Sequence, residues 1–264
     1  MSGQANIFED LRAEGEQLYT FLKTLKEEDW SKTTTFKSWT INDVVEHLHF
    51  SDYMAVTSHK GEDDFKAMMA EMMDPKLKKG EFSKKVTGNT SGVELLERWK
   101  VLFEDMCDRF VATEPSRRLP WFGPDMGISM FATARLMETW SHSWAIYDVI
   151  GVPKVSTDVI KNIVTIGVKT YGWTFVNRKE TAPEPKPYVK LTAPSGEVWD
   201  WNEPQADNMV EGDAVEFCQV VTQVRNIADV NLTVTGGPAN QWMDIAQCFA
   251  GPPNDPPVPG SRLK

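Results

Sequence analysis

The residues of this sequence best suited to chemistry are a carboxylate and an imidazole four positions apart, Glu138 and His142, in the run ARLMETWSHSWAIYDVIG. In an α-helix, residues i and i+4 lie on one face, so both side chains point the same way from adjacent turns. The helix is apolar nearly all round, which predicts that it is buried, and a buried carboxylate requires a partner. The carboxylate of Glu138 has two candidate partners: Arg135, three residues earlier on the same helix, and a metal ion.

A metal site of the open catalytic type has three protein ligands, so a third ligand must come from another helix. The chain contains four histidines. His47 and His49 lie two residues apart on a second helical segment, so they cannot both face one ion, and periodicity does not choose between them. His59, at the end of that segment, is interpreted as solvated or as a partner of the helix dipole.

Two aspartates on the same segment are weaker candidates. Asp43 can orient the imidazole of His47 from one turn earlier, or it can complete a capping box with Thr40. Asp52 follows His47 by five residues, roughly 140° around the helix. A direct ligand role is therefore disfavoured for Asp52, and a surface or second-site role remains for it.

Long amphipathic helices dominate the first two thirds of the chain. Apolar residues at a period near 3.6 predict helices over 7–25, over 41–59 with Thr40 as N-cap, over 91–112, in a stretch that ends at Gly151, and over about 158–178. The charged segment 74–85 is interpreted as a solvated loop. Long helices joined in this way form a bundle, whose interior is a usual place for a metal site.

The composition changes at the proline-rich stretch RKETAPEPKPYVK, which cannot be helical. The patterns that follow predict a hairpin in YVKLTAPSGEVWDWN, a helix over 213–223, a strand over 230–236 and a last helix ending before Gly251. Strands mixed with helices indicate a small α+β domain. We therefore predict two domains, residues 1–181 and residues 182–264, with an extended C-terminal tail.

Composition and charge exclude several classes of function. The formal net charge of -10 and the pI near 5.0 argue against a nucleic-acid or membrane partner, because phosphate binding requires clustered Lys and Arg. The N-terminus has no apolar stretch behind a basic start, and no window resembles an uncharged membrane span. Cys107, Cys218 and Cys248 form no CxxC pair, which favours a reducing compartment. We expect a cytoplasmic protein with a small-molecule substrate, and no pattern indicates an oligomeric state.

Two segments, WTINDVVEHLHFSD and FATARLMETWSHSWAIYDVIG, resemble the two metal-bearing helices of the DinB-like superfamily. The pattern W-[ST]-x2-D-V-x2-H-L is present from Trp39 to Leu48, and the paired E-x3-H is Glu138 and His142. The chain is similar over nearly its whole length to the branch akin to mycothiol-dependent maleylpyruvate isomerase, including the segments PWFGPDMG, EFCQVVTQ and WMDIAQCFAGPP. This resemblance implies an α+β fold, with an N-terminal DinB-like four-helix bundle and a smaller C-terminal α+β domain of the sterol-carrier-like type.

The resemblance also implies a site and a chemistry. In that family the histidine of the first motif and the glutamate and histidine of the second bind a divalent metal, which implies His47, Glu138 and His142 as ligands and His49 as a bystander. This donor set suits zinc. A low-molecular-weight thiol, glutathione or mycothiol, is implied as the nucleophile that adds to an electrophilic alkene. We expect a metal-dependent, thiol-assisted isomerase or transferase acting on a small unsaturated carbonyl or carboxylate compound.

Three further residues are candidates for substrate contact. In relatives an arginine from the smaller domain, which closes over the site, helps to hold an anionic substrate, which implies Arg225 as a catalytic residue here. A surface ion pair is the alternative for Arg225. Trp121 and Phe122, on a loop just before the metal-bearing helix, can cover a pocket, with ordinary packing as the alternative.

The chain departs from the family pattern immediately after the second metal histidine. Relatives tend to have Gly-Gln-Asp there, whereas this chain has Ser143, Trp144 and Ala145. The change removes an acid and adds a large aromatic, so Trp144 is a candidate substrate contact. It also keeps two other functions open: a metal-dependent cyclase, lyase or hydrolase that needs no thiol, and a non-catalytic protein that binds a small ligand and holds a structural metal.

Overall fold

The computed structural model describes residues 6–78, 80–122 and 125–262. Gly123 and Pro124 of the PWFGPDMG motif, Lys79 of the charged segment and the last two residues of the tail lie outside these ranges. Backbone contacts divide the chain into two compact units, Met1–Ile150 and Gly151–Lys264. The division falls earlier than the boundary predicted after residue 181, because the helices between residues 161 and 177 pack against later helices of the second unit.

The first unit consists mainly of helices in its described residues. Its elements in chain order are α1 (Ile7–Leu22), α2 (Ile41–Lys60), α3 (Glu62–Met72), α4 (Glu81–Thr87), α5 (Gly92–Val111), β1 (Arg118–Leu119), β2 (Met126–Gly127) and α6 (Ile128–Ile150). A short 3₁₀ helix, Glu27–Ser31, follows α1. The strands β1 and β2 pair antiparallel. The four long helices α1, α2, α5 and α6 confirm the predicted bundle.

Packing within the bundle places α2 beside α6. Helix α2 packs against α5 and α6, and helix α1 packs against the same two helices. Leu48, Trp99, Phe103 and Trp140 are completely buried between them. In the described part of the chain, no helix combines the length and the apolar character that crossing a membrane requires.

Local sequence fixes the start of α2. Thr40 caps the helix: its hydroxyl accepts the backbone N–H of Asp43, and the Asp43 carboxylate accepts the backbone N–H of Thr40 at 2.8 Å. The capping interpretation of Asp43 is therefore the one the structure supports. Because Asp43 is exposed and engaged at the cap, it does not orient the imidazole of His47.

Two short helices between α2 and α5 were missed by the sequence patterns. Helix α4 begins inside the segment 74–85, so the solvated-loop prediction is wrong for its second half. Gly80 and Gly88 have left-handed φ angles of 81° and 69° and border this helix of 7 residues. Phe82 is buried in an apolar cluster with Met54, Phe65 and Met68, while Lys84 and Lys85 of the same helix are exposed.

The second unit is a mixed sheet with helices. Its elements in chain order are a 3₁₀ turn (Asp158–Ile160), α7 (Lys161–Lys169), α8 (Tyr171–Asn177), β3 (Tyr188–Thr192), β4 (Val198–Trp201), β5 (Met209–Asp213), α9 (Ala214–Val221), a 3₁₀ turn (Ile227–Asp229), β6 (Thr233–Thr235) and α10 (Gly237–Ile245). The strand order is β4-β3-β5-β6, with β3 and β5 parallel and the other pairs antiparallel. The predicted hairpin is β3 and β4.

Three features of the second unit differ from the prediction. The helix expected over 158–178 is interrupted at Thr170, whose hydroxyl donates to the carbonyls of Ile166 and Gly167. The last helix ends at Ile245 because Ala246 is extended, with ψ of 132°. Strand β5 was not predicted, since its sequence MVEGD shows little apolar alternation. The smaller α+β domain is nevertheless confirmed as a fold class.

Candidate metal centre

Three side chains from α2 and α6 converge at one point of the first unit. Nε2 of His47 lies 3.4 Å from Oε2 of Glu138, and Nε2 of His142 lies 3.2 Å from the same oxygen. The centroids of the two imidazole rings are 4.4 Å apart. One ligand-type atom from each residue lies within 4.8 Å of the other two. Among the acids, histidines and cysteines of the described ranges, these three residues form a group whose ligand atoms are close enough to hold one metal ion.

The chemistry and spacing of this cluster fit a divalent metal. Two ligands at about 2.1 Å from a tetrahedral ion are about 3.4 Å apart, close to both measured nitrogen-to-oxygen distances. The side chains of His47, Glu138 and His142 are 29%, 25% and 13% exposed, so solvent or a substrate can reach the cluster. Two imidazoles and one carboxylate are typical donors for zinc and related ions.

The electrostatics of the cluster favour the ligand forms of its side chains. Burial lowers the pKa of His47, and the neighbouring His142 lowers it further, so the neutral imidazole is favoured. Burial raises the pKa of Glu138, but hydrogen bonds from His142 and His47 outweigh burial and hold that pKa well below its usual range. A neutral imidazole and an ionised carboxylate are the forms that coordinate a cation.

Glu138 does not pair with Arg135. Nε of Arg135 donates to Oδ1 of Asp52 at 2.9 Å, and the two side chains are only 3% and 0% exposed. The indole Nε1–H of Trp99 donates to the other oxygen of Asp52 at 2.9 Å. The surface role considered for Asp52 is therefore wrong, because its carboxylate joins α2 to α6 and α5 inside the bundle.

The other two histidines lie outside the cluster. His49 is buried, and in the described chain its Nδ1 has no hydrogen-bond partner. His59 is part-buried, and its Nε2 lies 2.8 Å from the hydroxyl of Thr113 and 3.3 Å from Nη1 of Arg117. The solvated role expected for His59 is therefore not the one observed, because the end of α5 and the segment after it cover the ring.

Comparison with known proteins places the chain in a family. Residues 11–147, a range that includes His47, Glu138 and His142, match the mycothiol maleylpyruvate isomerase N-terminal domain. Two proteins from different strains of Mycobacterium tuberculosis, both named as uncharacterized proteins, are 35% identical over 245 residues, covering 92% of this chain and 95% of each relative. The chain belongs to the mycothiol maleylpyruvate isomerase N-terminal domain family.

Two solved structures share the fold. The crystal structure of the mycothiol-dependent maleylpyruvate isomerase is similar with a TM-score of 0.53 and 12% identity, covering 81% of this chain and 86% of that chain. A histidine-to-alanine mutant of that isomerase is similar with a TM-score of 0.51 and 11% identity over the same shares. At this identity the similarity shows a common fold, and the family membership rests on the sequence matches above.

The aromatic residues predicted to contact substrate have mainly packing contacts. The ring of Trp121 lies 4.8 Å from Phe131 and 5.8 Å from Phe65, and Phe122 is 50% exposed beside it. Trp144 follows His142 by two residues, roughly 200° around α6, and packs against Trp140 with ring centroids 5.7 Å apart. Trp144 therefore points away from the imidazole of His142.

The two positions beside Trp144 are occupied by packing residues. Ser143 is completely buried, and its hydroxyl donates to the carbonyl of Trp140 at 2.7 Å. Ala145 is also buried. At the two positions where members of this family tend to carry a glycine and an acid, this chain therefore has the small, buried side chains of Ser143 and Ala145.

Arg225 lies in the second unit, outside the range matched by the family domain. It is buried, and its Nη1 donates to the carbonyl of Val224 at 3.3 Å. Its backbone N–H donates to the carbonyl of Gln219 on α9 at 3.1 Å. The side chain is therefore not at the surface, and the substrate contact expected for Arg225 stays a prediction.

A turn of residues Phe36, Lys37, Ser38 and Trp39 borders the cluster and was not predicted. The Phe36 ring lies 5.0 Å from the ring of His142, and the Trp39 ring lies 5.2 Å from His47 and 6.1 Å from His142. These contacts put aromatic surface against both imidazoles. The one signal in the sequence was Trp39 at the head of the family motif, whose spacing says nothing about where the ring points.

The buried His49 makes a testable contribution to acid sensitivity. Burial, with a smaller effect from Arg98, lowers its pKa from 6.5 to about 4. Between pH 6.5 and about 4, His49 is therefore protonated in the unfolded chain and neutral in the folded chain. Protons then bind preferentially to the unfolded chain, so the free energy of unfolding falls as the pH drops through this window. We expect the wild type to lose about 3 kcal/mol more than His49→Leu across this window. Urea unfolding at several pH values measures the difference, and parallel pH dependence of the two proteins would contradict it.

Proposed function

We propose that this protein is a divalent-metal-dependent, thiol-assisted isomerase or transferase that acts on a small electrophilic unsaturated carbonyl or carboxylate compound. The observation that carries the proposal is the convergence of His47, Glu138 and His142 within 4.8 Å in a chain of the mycothiol maleylpyruvate isomerase N-terminal domain family. In this proposal the three residues are the metal ligands, zinc is the expected ion, and Arg225 is the expected contact for an anionic group of the substrate.

The ligand residues have defined tasks in such a site. A bound divalent ion supplies Lewis acidity, which lowers the pKa of a thiol or polarises a carbonyl. His47 and His142 would each present an imidazole nitrogen, and Glu138 would contribute the single negative charge of the set. Phe36 and Trp39 cover one side of the imidazoles and exclude water there. The exposed part of Glu138 leaves a path for substrate.

The sulfur nucleophile of this proposal comes from outside the chain. Cys107, Cys218 and Cys248 are buried and are not joined in disulfides. Burial raises the pKa of Cys107 to about 12 and that of Cys218 well above its usual value, so neither forms a thiolate at neutral pH. Mycothiol or glutathione would supply the reversible nucleophile that cis-trans isomerisation of a double bond requires. Cysteines without disulfides also fit a cytoplasmic location.

A second candidate function keeps the metal and omits the thiol. The acid that family members tend to carry three residues after the second metal histidine is replaced here by the buried Ala145. Loss of that acid changes the polar surroundings of the metal and so favours a different substrate. A metal-dependent cyclase, lyase or hydrolase is the function that this observation supports.

The test is a thiol-dependence assay on the zinc-loaded protein. Maleylpyruvate and related unsaturated dicarbonyl compounds are incubated with mycothiol, with glutathione and without thiol, and products are followed by absorbance and chromatography. We expect turnover that requires both zinc and a thiol, because burial keeps Cys107 and Cys218 in the thiol form. Zinc content per chain is measured in the same samples.

The outcomes separate the candidates. Turnover that needs zinc but no thiol supports the cyclase, lyase or hydrolase function and contradicts the thiol-assisted one. Binding of a compound without turnover supports a non-catalytic ligand-binding protein. Full turnover after removal of zinc by a chelator contradicts every metal-dependent function.

A further inference from the structure

We infer that the turn from Phe36 to Trp39 is the specificity element of this site: its rings form a wall for a flat unsaturated ligand, and the ammonium of Lys37 receives a carboxylate of that ligand. The inference rests on the proposed function for the position of the reacting group. It assigns a binding role to residues that are not among the three metal-ligand candidates. The ligand class is a small conjugated carboxylate.

The backbone of the turn is tightly closed and strained. The backbone N–H of Trp39 donates to the carbonyl of Phe36 at 2.9 Å, and that of Thr34 donates to the carbonyl of Trp39 at 2.7 Å. The two central residues, Lys37 and Ser38, have φ angles of 51° and 56°. Two-residue turns with both φ angles positive favour glycine and asparagine, and here neither is present. Strain of this kind persists where surrounding structure imposes it, often at functional sites.

The rings of the turn are directed at the metal-ligand candidates. Phe36 meets His142 edge to face, at an interplanar angle of 81°, whereas Trp39 is nearly parallel to His142 at 15°. Phe36 and Trp39 also contact each other at 5.1 Å. The pair therefore forms an apolar wall of two rings at 84° to each other beside the imidazoles, which suits the face and the edge of a conjugated, planar molecule.

Lys37 is held above this wall without an acidic partner. Its Nζ lies 5.0 Å from the centroid of Phe36 and 5.7 Å from that of Trp39. Over the described ranges, Lys37 makes no ion pair, although the chain has 38 acids against 28 Lys and Arg. The Phe36 ring is a neighbour of both groups: its centroid lies 5.0 Å from the Lys37 ammonium and 5.0 Å from the centroid of the His142 imidazole. An exposed cation in this position attracts an anionic group to the edge of the site.

The two features together define the ligand that fits. A planar unsaturated core lies against Phe36 and Trp39 beside the metal ligands, and a carboxylate at one end pairs with Lys37. A neutral compound of the same shape keeps the ring contacts and loses the ion pair. Charge and shape can therefore be tested separately.

The experiment measures the binding of two probes to zinc-loaded protein by calorimetry. Maleate carries the carboxylates, and maleamide is its neutral analogue. We expect Lys37→Met to weaken maleate binding about tenfold and to leave maleamide binding unchanged, while Lys37→Arg stays within about twofold of the wild type. Phe36→Leu is expected to weaken both probes. Lys76→Met, at an exposed lysine of the α3–α4 connection, controls for the change in net charge.

Several results would overturn the inference. Equal weakening of both probes by Lys37→Met, or the same loss of maleate binding in Lys76→Met, excludes a specific ion pair. Unchanged binding in Lys37→Met, with wild-type binding that still requires zinc, rejects the role of the turn but leaves the proposed function intact. Absence of zinc from the wild type, or absence of any maleate binding by the zinc-loaded wild type, rejects both proposals.

Discussion

Replacing His142 by alanine is expected to abolish metal binding and reduce turnover to the uncatalysed background. His142 supplies one of three ligand-type atoms and is one of two hydrogen-bond partners of Glu138. Loss of a group that merely supports a metal ligand costs about 10- to 100-fold in metal affinity, so loss of the ligand itself should cost more than about 100-fold. Competition with a chromophoric chelator measures the affinity, and metal analysis gives the stoichiometry.

Matched histidine variants make this prediction specific. His47→Ala is expected to behave like His142→Ala, whereas His49→Leu, two residues away on the same helix, is expected to keep the wild-type zinc affinity. Circular dichroism shows whether each variant is folded. Retention of one zinc per chain in a folded His142→Ala variant would reject the metal centre, as would zinc loss confined to His49→Leu.

Removing Arg135 is expected to cost about 3–5 kcal/mol of stability, because it leaves the completely buried Asp52 carboxylate without its cation. The variant Arg135→Met preserves much of the side-chain volume and removes the charge. Urea unfolding at neutral pH measures the loss. Because this ion pair connects the helix of His47 to the helix of Glu138, we also expect weaker zinc binding in Arg135→Met.

A double variant is the control for the ion pair. In Asp52→Asn combined with Arg135→Met, neither member of the pair is charged, and the asparagine oxygen can still accept the indole N–H of Trp99. We expect the double variant to recover a large part of the stability lost in Arg135→Met. If the double variant instead loses as much stability as Asp52→Asn and Arg135→Met lose together as single variants, the unpaired charge is not the cause of the loss in Arg135→Met.

The sequence by itself determined the local features of the fold and two of the three residues of the candidate metal centre. The four-residue spacing of Glu138 and His142 requires that they share a helix face. The capping box of Thr40 and Asp43 fixed the start of α2, and alternation around Pro-Ser-Gly predicted the hairpin of β3 and β4. These are short-range features, in which the interacting atoms lie within a few residues of each other, so spacing alone specifies them.

The tertiary structure decided which residues from different elements meet. Periodicity allowed either His47 or His49 to face α6, and the family resemblance implied His47, but only the packing of α2 against α6 brings its Nε2 to Glu138. The same packing pairs Arg135 with Asp52, so the carboxylate of Glu138 contacts the two histidines and not the arginine. The strained turn at Lys37 places two rings on the imidazoles. Each outcome depends on how whole helices are rotated about their axes and on the angles at which they cross. Many core contacts together determine these angles, so no short sequence pattern specifies them.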